Sequence, residues 1–195
     1  TVLGALRVRL EAVGKRLLVT REPGGTSLGE AVRSIVLDPV HRNTFAESEL
    51  LLMFAARAQL VREIIAPALA GGAWVLSDRF TDASYAYQGG GRGQPIARIR
   101  ELEAWAAAGL RPDLTLLLDV PVEQGLARIE RRGAPDRIEA ESSGFFDRVA
   151  ATYRERAAEE PQRFRIIDAS GSIEEVREEA LAALDGYLAL IGIPS

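Results

Sequence analysis

The segment Asp113–Val120, with the sequence DLTLLLDV, most constrains the fold of this chain. An unbroken apolar run of this length is typical of a strand buried on both faces of a parallel sheet. Shorter apolar runs at Arg16–Thr20, Ala73–Ser77 and Arg163–Asp168 alternate with segments of helical periodicity. The alternation predicts an α/β fold, a doubly wound parallel sheet with flanking helices, of which four strands are visible in the sequence.

The helices are predicted from apolar periodicity and from their start and stop signals. Thr44–Glu47 and Ser172–Glu175 have the pattern of capping boxes, in which a hydroxyl and a carboxylate cap the first turn. The first box opens a long helix that ends near Ala70, and we expect Pro67 to kink or tighten its last turn. The predicted helices cover residues 1–13, 26–37, 44–70, 95–108, 121–132, 144–158 and 172 onward.

Composition is that of an ordinary globular protein, and 195 residues fit one domain, residues 1–195. The net charge of −4 argues against a general surface for nucleic acids or membranes. We find no apolar run long enough to span a membrane, and we expect a cytoplasmic protein. Without cysteine there is no disulfide or thiolate site, and His41 lies in a polar stretch that favours a loop.

Asp78 and Arg79 stand at the carboxyl end of a predicted strand, where ligands bind in open parallel sheets. A guanidinium can hold a phosphate through two parallel hydrogen bonds, and a carboxylate can hold magnesium through water. For such a pair alone, a salt bridge at the strand end is the alternative. Ser84 and Gln88 follow at helical spacing, and Gly89–Gly93 is expected to form a flexible connection beside the site.

Five segments, in order along the chain, resemble bacterial thymidylate kinases, which belong to the P-loop nucleoside-monophosphate kinase family. The segments are TREPGGT at Thr20–Thr26, LMFAAR at Leu52–Arg57, SDRFTDASYAYQGGGRG at Ser77–Gly93, RPDLTLLLDV at Arg111–Val120 and DRIE at Asp136–Glu139. The resemblance covers essentially the whole chain. It implies transfer of the γ-phosphoryl group of ATP to dTMP, with Mg2+, giving dTDP and ADP for dTTP synthesis. It also implies a homodimer, with the long helix at its interface.

The chain departs from the family at the phosphate loop. Family members begin with a strand and the loop G-x-x-x-x-G-K-[ST], to which this sequence has no match. Gly14-Lys15-Arg16 lacks the glycine spacing and the hydroxyl residue, so we interpret it as a helix end. Thr1 lines up with the last hydroxyl residue of the loop or with its successor. The central first strand of the family is therefore missing from the sequence, and we expect the parent protein to possess it together with the loop.

By resemblance, one group of residues holds the phosphate and sugar of dTMP. Arg79 clamps the phosphate, and Asp78 orients it or the magnesium shell through water. Arg33 also faces the phosphate, with a solvated helix arginine as the alternative. Glu22 lines the pocket near the sugar or the metal, with a loop carboxylate that pairs with Arg21 as the alternative. Tyr87 packs beneath the sugar, and a core tyrosine is its alternative.

A second group is expected to recognise thymine. Arg57 matches the arginine that bonds a base carbonyl, and Ser84 and Gln88 match the hydroxyl and amide that read the base edge. Related enzymes stack a phenylalanine on the base four residues before that arginine, where this chain has Met53. We expect Phe54 to stack instead, while Met53 and a plain core role stay open because both positions share a helix face with the arginine.

The polar segment at about 133–143 resembles the mobile lid of the family. Arg137 in DRIE is the first candidate for a catalytic arginine that approaches the transferring phosphoryl group when the lid closes. A solvated cluster at a helix end is the alternative for arginines in this region. The candidates for the ATP side are Arg128, Arg132, Asp168 and Ala169.

Two other functions stay open. The chain could phosphorylate another nucleoside monophosphate, since dUMP differs from dTMP by one methyl group, which is worth about 1–3 kcal/mol. If the phosphate loop is truly absent, the chain would be an inactive nucleotide-binding dimer. A monophosphate panel separates the first alternative from a dTMP kinase, and ATP turnover separates the second.

Overall fold

The strands form two separate parallel pairs in the structure, a computed structural model that describes residues 1–193. Strand β1, Leu17–Arg21, pairs with β2, Trp74–Asp78, and Arg21 lies opposite Asp78. Strand β3, Thr115–Asp119, pairs with β4, Phe164–Asp168. All four predicted strands are therefore present within one residue or two of their predicted bounds.

The prediction that β3 is buried on both faces is wrong for this structure. Its residues are half-buried, and Leu118 is 42% exposed. On β4, Ile166 is likewise 52% exposed, whereas Ile167 is buried. The reason is that each sheet has only two strands, so every strand of the described chain is an edge strand and lacks a neighbour on one side.

Helices surround the two strand pairs. Their bounds are α1 Val2–Ala12, α2 Ser27–Leu37, α3 Ala46–Leu60, α4 Ala66–Ala70, α5 Thr81–Ser84, α6 Ile96–Ala106, α7 Val122–Arg132, α8 Ser143–Glu159 and α9 Ile173–Leu190. A 3-10 turn follows α2 at Pro39–His41, and π-helical turns occupy Val61–Ile65 and Tyr85–Gly91. Over residues 1–193, no helix combines the length and apolar character that a membrane span needs.

The largest core cluster joins α1 and α9 to the strands. Leu6 and Leu10 of α1 are buried together with Leu184 and Leu188 of α9, and Ile167 of β4 completes the contact. Partly buried residues of β1, β2 and β3 or their flanks pack against this cluster. Helix α1 begins at Thr1, whose hydroxyl oxygen accepts a hydrogen bond from the Gly4 N–H, and it ends before Gly14, as predicted.

The two predicted capping boxes have different outcomes. Ser172 and Glu175 form the reciprocal box at the start of α9, which confirms that prediction. The box at Thr44 is wrong, because the Thr44 hydroxyl donates to the His41 carbonyl, and α3 begins at Ala46 with Phe45 as its N-cap and no side-chain cap within residues 1–193. The long helix widens into a π-helical turn just before Pro67, since proline cannot donate the next backbone hydrogen bond.

The glycine run after Gln88 is a packing surface, which corrects the prediction of a flexible connection. Tyr85–Gly91 packs closely against α8. A Cβ atom on Gly90 would overlap Thr152 Oγ1 and lie 2.8 Å from the carbonyl oxygen of Arg148. Arg148 also donates hydrogen bonds to the carbonyls of Gly90 and Gly91. Glycine is required here because only a residue without a side chain permits this approach.

Candidate active site

The carboxyl ends of β1 and β2 create the centre of the site. Because Arg21 and Asp78 are in register, the residues that follow them emerge side by side, and the Glu22 N–H donates to the Asp78 carbonyl at 2.9 Å. Arg79 has a φ of 70°, a left-handed conformation that is uncommon for a residue with a side chain. At this residue the chain turns away from β2, which ends at Asp78, and leads into α5.

Neither the Arg79 guanidinium nor the Asp78 carboxylate has an ionic or hydrogen-bonding partner among the described residues. The Arg79 guanidinium lies 5.1 Å from the centre of the Tyr87 ring. Within residues 1–193 it makes neither a side-chain hydrogen bond nor an ion pair, and the same holds for the Asp78 carboxylate. The alternative of an Asp78–Arg79 salt bridge is therefore not what the structure shows, and both groups are exposed and available to a ligand.

Glu22, Arg57 and Ser84 form a buried chain of hydrogen bonds. Arg57, 1% exposed, donates from Nε to Glu22 at 2.8 Å and from Nη1 to the Ser84 hydroxyl at 3.0 Å, and its Nη2 reaches the Phe80 carbonyl at 3.3 Å. Burial raises the pKa of Glu22, while the charge and hydrogen bonds of Arg57 oppose that rise. One Glu22 oxygen, Oε1, is buried without a hydrogen-bond partner among the described residues.

Gln88 belongs to a second buried cluster, centred on Glu49 of α3. Glu49 is 0% exposed and accepts hydrogen bonds from Gln88 Nε2 at 2.9 Å and from Arg137 Nη2 at 2.6 Å. Arg92 reaches the same carboxylate at 3.1 Å. The amide oxygen of Gln88 is buried and has no partner in the part of the chain that the structure describes.

The candidates for stacking on the base lie on different sides of α3. Phe54 is 3% exposed in a core cluster with Leu50, and its ring lies 4.6 Å from the Arg57 guanidinium. Met53 is 8% exposed and packs with Val32 of α2. The structure therefore places both residues in core clusters, and stacking of Phe54 on a base stays a prediction.

The TREPGGT segment is held by a residue that sequence reasoning missed. The Glu30 carboxylate accepts from the Gly25 N–H and from Arg21, both at 2.9 Å, and the Gly25 hydrogen bond is the main reason that its pKa is lowered. Arg33, one turn further along α2, donates to the Pro23 carbonyl at 3.2 Å and is half-buried. Among the described residues, this is the one side-chain hydrogen bond that ties Arg33 to the loop.

The segment predicted as a lid is folded against α2 and α3. The Arg137 guanidinium donates from Nε to the Val36 carbonyl at 2.6 Å, in addition to its bond with Glu49, and is 6% exposed. Arg132 pairs with Glu139 within the same region and is largely exposed. In this arrangement Arg137 binds protein groups, and its contact with a phosphoryl group stays a prediction.

Two of the residues predicted for the ATP side lie together. Arg128 of α7 donates to the Ala169 carbonyl at 2.9 Å, just beyond β4. The Asp168 carboxylate accepts from the Ser170 N–H at 2.9 Å, which shapes the turn that follows the strand. A cavity of about 460 Å3 opens beside them, and Asp119, Asp168 and Ser170 are among its lining residues.

Glu49 is the main residue that the sequence prediction missed. It lies on the buried stripe of α3, four residues before Met53 and eight before Arg57. A carboxylate in line with buried residues of a helix is rarely left without partners, because an unpaired buried charge is costly. The position of Glu49 among apolar residues of the helix was therefore the sequence signal for a buried, partnered carboxylate. Its partners Arg92 and Arg137 are 43 and 88 residues away, so no local pattern reveals them.

Comparison with known proteins identifies the family of this chain. A sequence model of the family described as "Thymidylate kinase" matches residues 1–180. The chain is 54% identical over 183 residues to the thymidylate kinase of Cupriavidus metallidurans, covering 92% of this chain and 88% of that protein.

Two further relatives show the same pattern. The thymidylate kinase of Pseudomonas putida is 52% identical over 183 residues, which are 94% of this chain and 87% of the relative. That of Neisseria gonorrhoeae is 50% identical over 187 residues, which are 96% of this chain and 90% of the relative. The resemblance stated from the sequence motifs is confirmed, and with it the α/β class of a P-loop nucleoside-monophosphate kinase. The chain belongs to the thymidylate kinase family.

Proposed function

We propose that the protein transfers the γ-phosphoryl group of ATP to dTMP, giving dTDP and ADP for dTTP synthesis. The observation that carries the proposal is the Arg79 guanidinium, which is exposed at the end of β2, while Ser84 and Gln88 are buried in the turns that follow along the chain. The Arg79 donors have no partner within residues 1–193 and suit a phosphate, and the buried polar groups suit a base edge. The thymidylate kinases at 50–54% identity support the same assignment.

The acceptor phosphate is held by arginines and a metal ion in this proposal. Arg79 binds the phosphate in a bidentate manner, and Arg33 faces it from α2. Glu22 and Tyr87 lie on the side of the sugar in this proposal. The Arg79 guanidinium lies over the Tyr87 ring. Asp78, the residue before Arg79, is proposed as the carboxylate that holds a hydrated cation beside the phosphate.

Magnesium fits the groups at this strand end. Mg2+ keeps most of its water and is held by one or two carboxylates together with substrate phosphates. The Asp78 carboxylate is exposed and pairs with no lysine, arginine or histidine of the described chain, so it would hold the ion through water. When bound, the ion neutralises charge on the phosphates during transfer. Residues 1–193 contain no group of three or more acidic or histidine ligands.

Thymine is recognised by Arg57, Ser84 and Gln88, with Phe54 as the stacking residue. Ser84 and Gln88 are buried, at 0% and 3% exposure, so a base that left them without partners would bind poorly. Ser84 accepts from Arg57 and therefore keeps its own proton to donate to a base carbonyl. The proposal treats the buried polar groups as the readers of the base and not as structural groups alone.

On the ATP side, Arg128, Arg132, Asp168 and Ala169 hold the donor nucleotide, with the adenine near the turn after β4. Arg137 is the proposed catalytic arginine, together with Arg79 and Asp78 at the acceptor. Phosphoryl transfer needs positioning and positive charge more than covalent chemistry, and these residues supply both. Arg137 would leave Glu49 when the lid at 133–143 closes over ATP.

The protein is proposed to act as a cytoplasmic homodimer. Helices α2 and α3 pack together and expose apolar side chains, including Ile35 at 43% and Leu51 at 58%. Burial of such a face against a second copy would remove apolar surface from water. A molar mass of about twice 21.1 kDa in light scattering supports the dimer, and a mass that stays at 21.1 kDa at all concentrations refutes it.

The direct test is ATP-dependent conversion of nucleoside monophosphates, with dTMP, dUMP, dCMP and dGMP compared at equal concentration. Preferred formation of dTDP supports the proposal. Preference for another monophosphate would reassign the substrate. Calorimetric titration with dTMP, with dCMP as the control, separates binding from turnover: selective binding of dTMP without turnover would mean that only the donor side fails.

A further inference from the structure

Glu49 is a fully buried carboxylate that the proposed reaction does not use. It collects hydrogen bonds from three separate parts of the chain: Gln88 in the π-helical turn, Arg92 after it, and Arg137 in the lid segment. Burial by itself raises the pKa of Glu49, but the hydrogen bonds from these three donors outweigh it and hold the pKa below its ordinary value. Glu49 is therefore ionised at neutral pH and can only accept hydrogen bonds.

The ionised carboxylate dictates which way the Gln88 amide faces. A glutamine amide has a donor side and an acceptor side that can exchange by rotation, and the surrounding network decides between them. Because Glu49 only accepts, Gln88 must turn its NH2 group toward Glu49, at 2.9 Å. Its oxygen is left facing away, buried and without a partner among residues 1–193. The unpartnered group at the site is thus an acceptor.

A second set of buried hydrogen bonds makes the Ser84 hydroxyl a donor toward the base. Glu22 holds Arg57, which donates to the Ser84 hydroxyl oxygen and leaves the Ser84 proton free. Gln88 then presents an acceptor and Ser84 a donor. The edge of thymine offers an N3–H beside a carbonyl oxygen, which matches this pair. Cytosine offers an acceptor at N3, where it would face the Gln88 oxygen.

We propose that Glu49 is a specificity-determining residue that selects thymine over cytosine by fixing the direction of the Gln88 amide. The inference rests on the proposed function, since it requires dTMP to bind at this site. Glu49 does not touch the base and acts through Gln88 as a positioning residue.

The test is the variant Glu49→Gln, which keeps the size of the side chain and removes its charge. Arg137 Nη2 and Arg92 Nη2 both approach Oε2 of Glu49, so we expect the amide oxygen of the variant at that position. Its NH2 group then faces Gln88 and turns the Gln88 amide around, while the 3.3 Å hydrogen bond from Arg92 Nε to Oε1 is lost. Calorimetry with dTMP and dCMP should then show dTMP binding weakened by about 10- to 100-fold, the range for one buried hydrogen bond left unmade. The affinity for dCMP should not fall, so the dTMP/dCMP ratio falls by at least tenfold.

Glu47→Gln is the matched control, because Glu47 is an exposed glutamate on the same helix without a hydrogen bond or ion pair in the described chain. It should leave both affinities unchanged. If Glu49→Gln weakens dTMP and dCMP by the same factor, Glu49 is only structural and the inference is overturned. If the wild-type protein itself does not prefer dTMP, the proposed function fails and the inference fails with it.

A measurement on the wild-type protein covers the case in which Glu49→Gln does not fold. A dTMP analogue methylated at N3 lacks the N–H that the Gln88 oxygen requires. It should bind at least tenfold more weakly than dTMP. Equal binding of the methylated analogue would show that the Gln88 oxygen does not face N3, which overturns the inference without any variant.

Discussion

Asp82 is the centre of a buried ionic network that joins the two strand pairs. It lies in α5, directly after β2, and is 4% exposed. Arg163, next to β4, binds both of its carboxylate oxygens at 2.8 Å, and Arg156 of α8 approaches at 3.2 Å. Arg163 also donates to the Thr115 hydroxyl at the start of β3. The sheets share no strand ladder in the described chain, so this network is a main polar link between them.

Replacement of Asp82 by alanine should cost about 3 kcal/mol of unfolding free energy. Removal of one partner from a buried ion pair typically costs about 3–5 kcal/mol, because it leaves a buried charge uncompensated. We expect the lower end of that range, since Glu160 still accepts hydrogen bonds from both arginines at 2.6 and 2.8 Å. For a chain of this length the loss corresponds to a Tm lower by roughly 6–12 °C.

The assay is urea unfolding followed by circular dichroism, with a thermal scan in parallel. Glu101→Ala is the control, because Glu101 pairs with Arg98 at 3.3 Å while both side chains are about two-thirds exposed. An exposed pair of this kind should contribute less than about 0.5 kcal/mol. A loss below about 1 kcal/mol for Asp82→Ala would refute the reasoning that the buried network holds the two strand pairs together.

Three further predictions concern acid stability, packing and phosphate binding. Hydrogen bonds from Arg163 hold the pKa of Glu160 at about 2, below its ordinary value of 4.5. Ionised Glu160 therefore stabilises the fold fully above pH 4.5, and this stabilisation is lost as the pH falls toward 2. When the free energy of unfolding is measured against pH, Glu160→Gln should make its decline at acid pH less steep. Gly90→Ala should cost about 1–3 kcal/mol through overpacking against α8, whereas Gly186→Ala, with open space around it, should not destabilise. Arg79→Lys should raise the KM for dTMP about tenfold or more, because bidentate binding is lost; an unchanged KM would contradict the phosphate role.

Much of this protein is determined by its local sequence. The alternation of apolar runs with helical periodicity predicts the four strands and the helices, because each pattern depends on neighbouring residues alone. The motif around Asp78 and Arg79 places the site at a strand end for the same reason. The predicted strands and helices agree with the structure, the site at the strand end stays a prediction, and the family matches confirm the resemblance that the motifs suggest.

Only the tertiary structure decided the partners of the buried polar groups. Glu49 meets Arg92 and Arg137, and Asp82 meets Arg163, across 43 to 88 residues of chain. The resemblance assigned Arg137 to a lid, and local patterns assigned no role to Arg92 or Arg163, since such patterns carry no information about distant elements. The half-exposed strands and the glycine contact with α8 depend in the same way on which elements lie beside them. The direction of the Gln88 amide follows from the Glu49 carboxylate, 39 residues away. That direction decides whether Gln88 offers a base an acceptor or a donor.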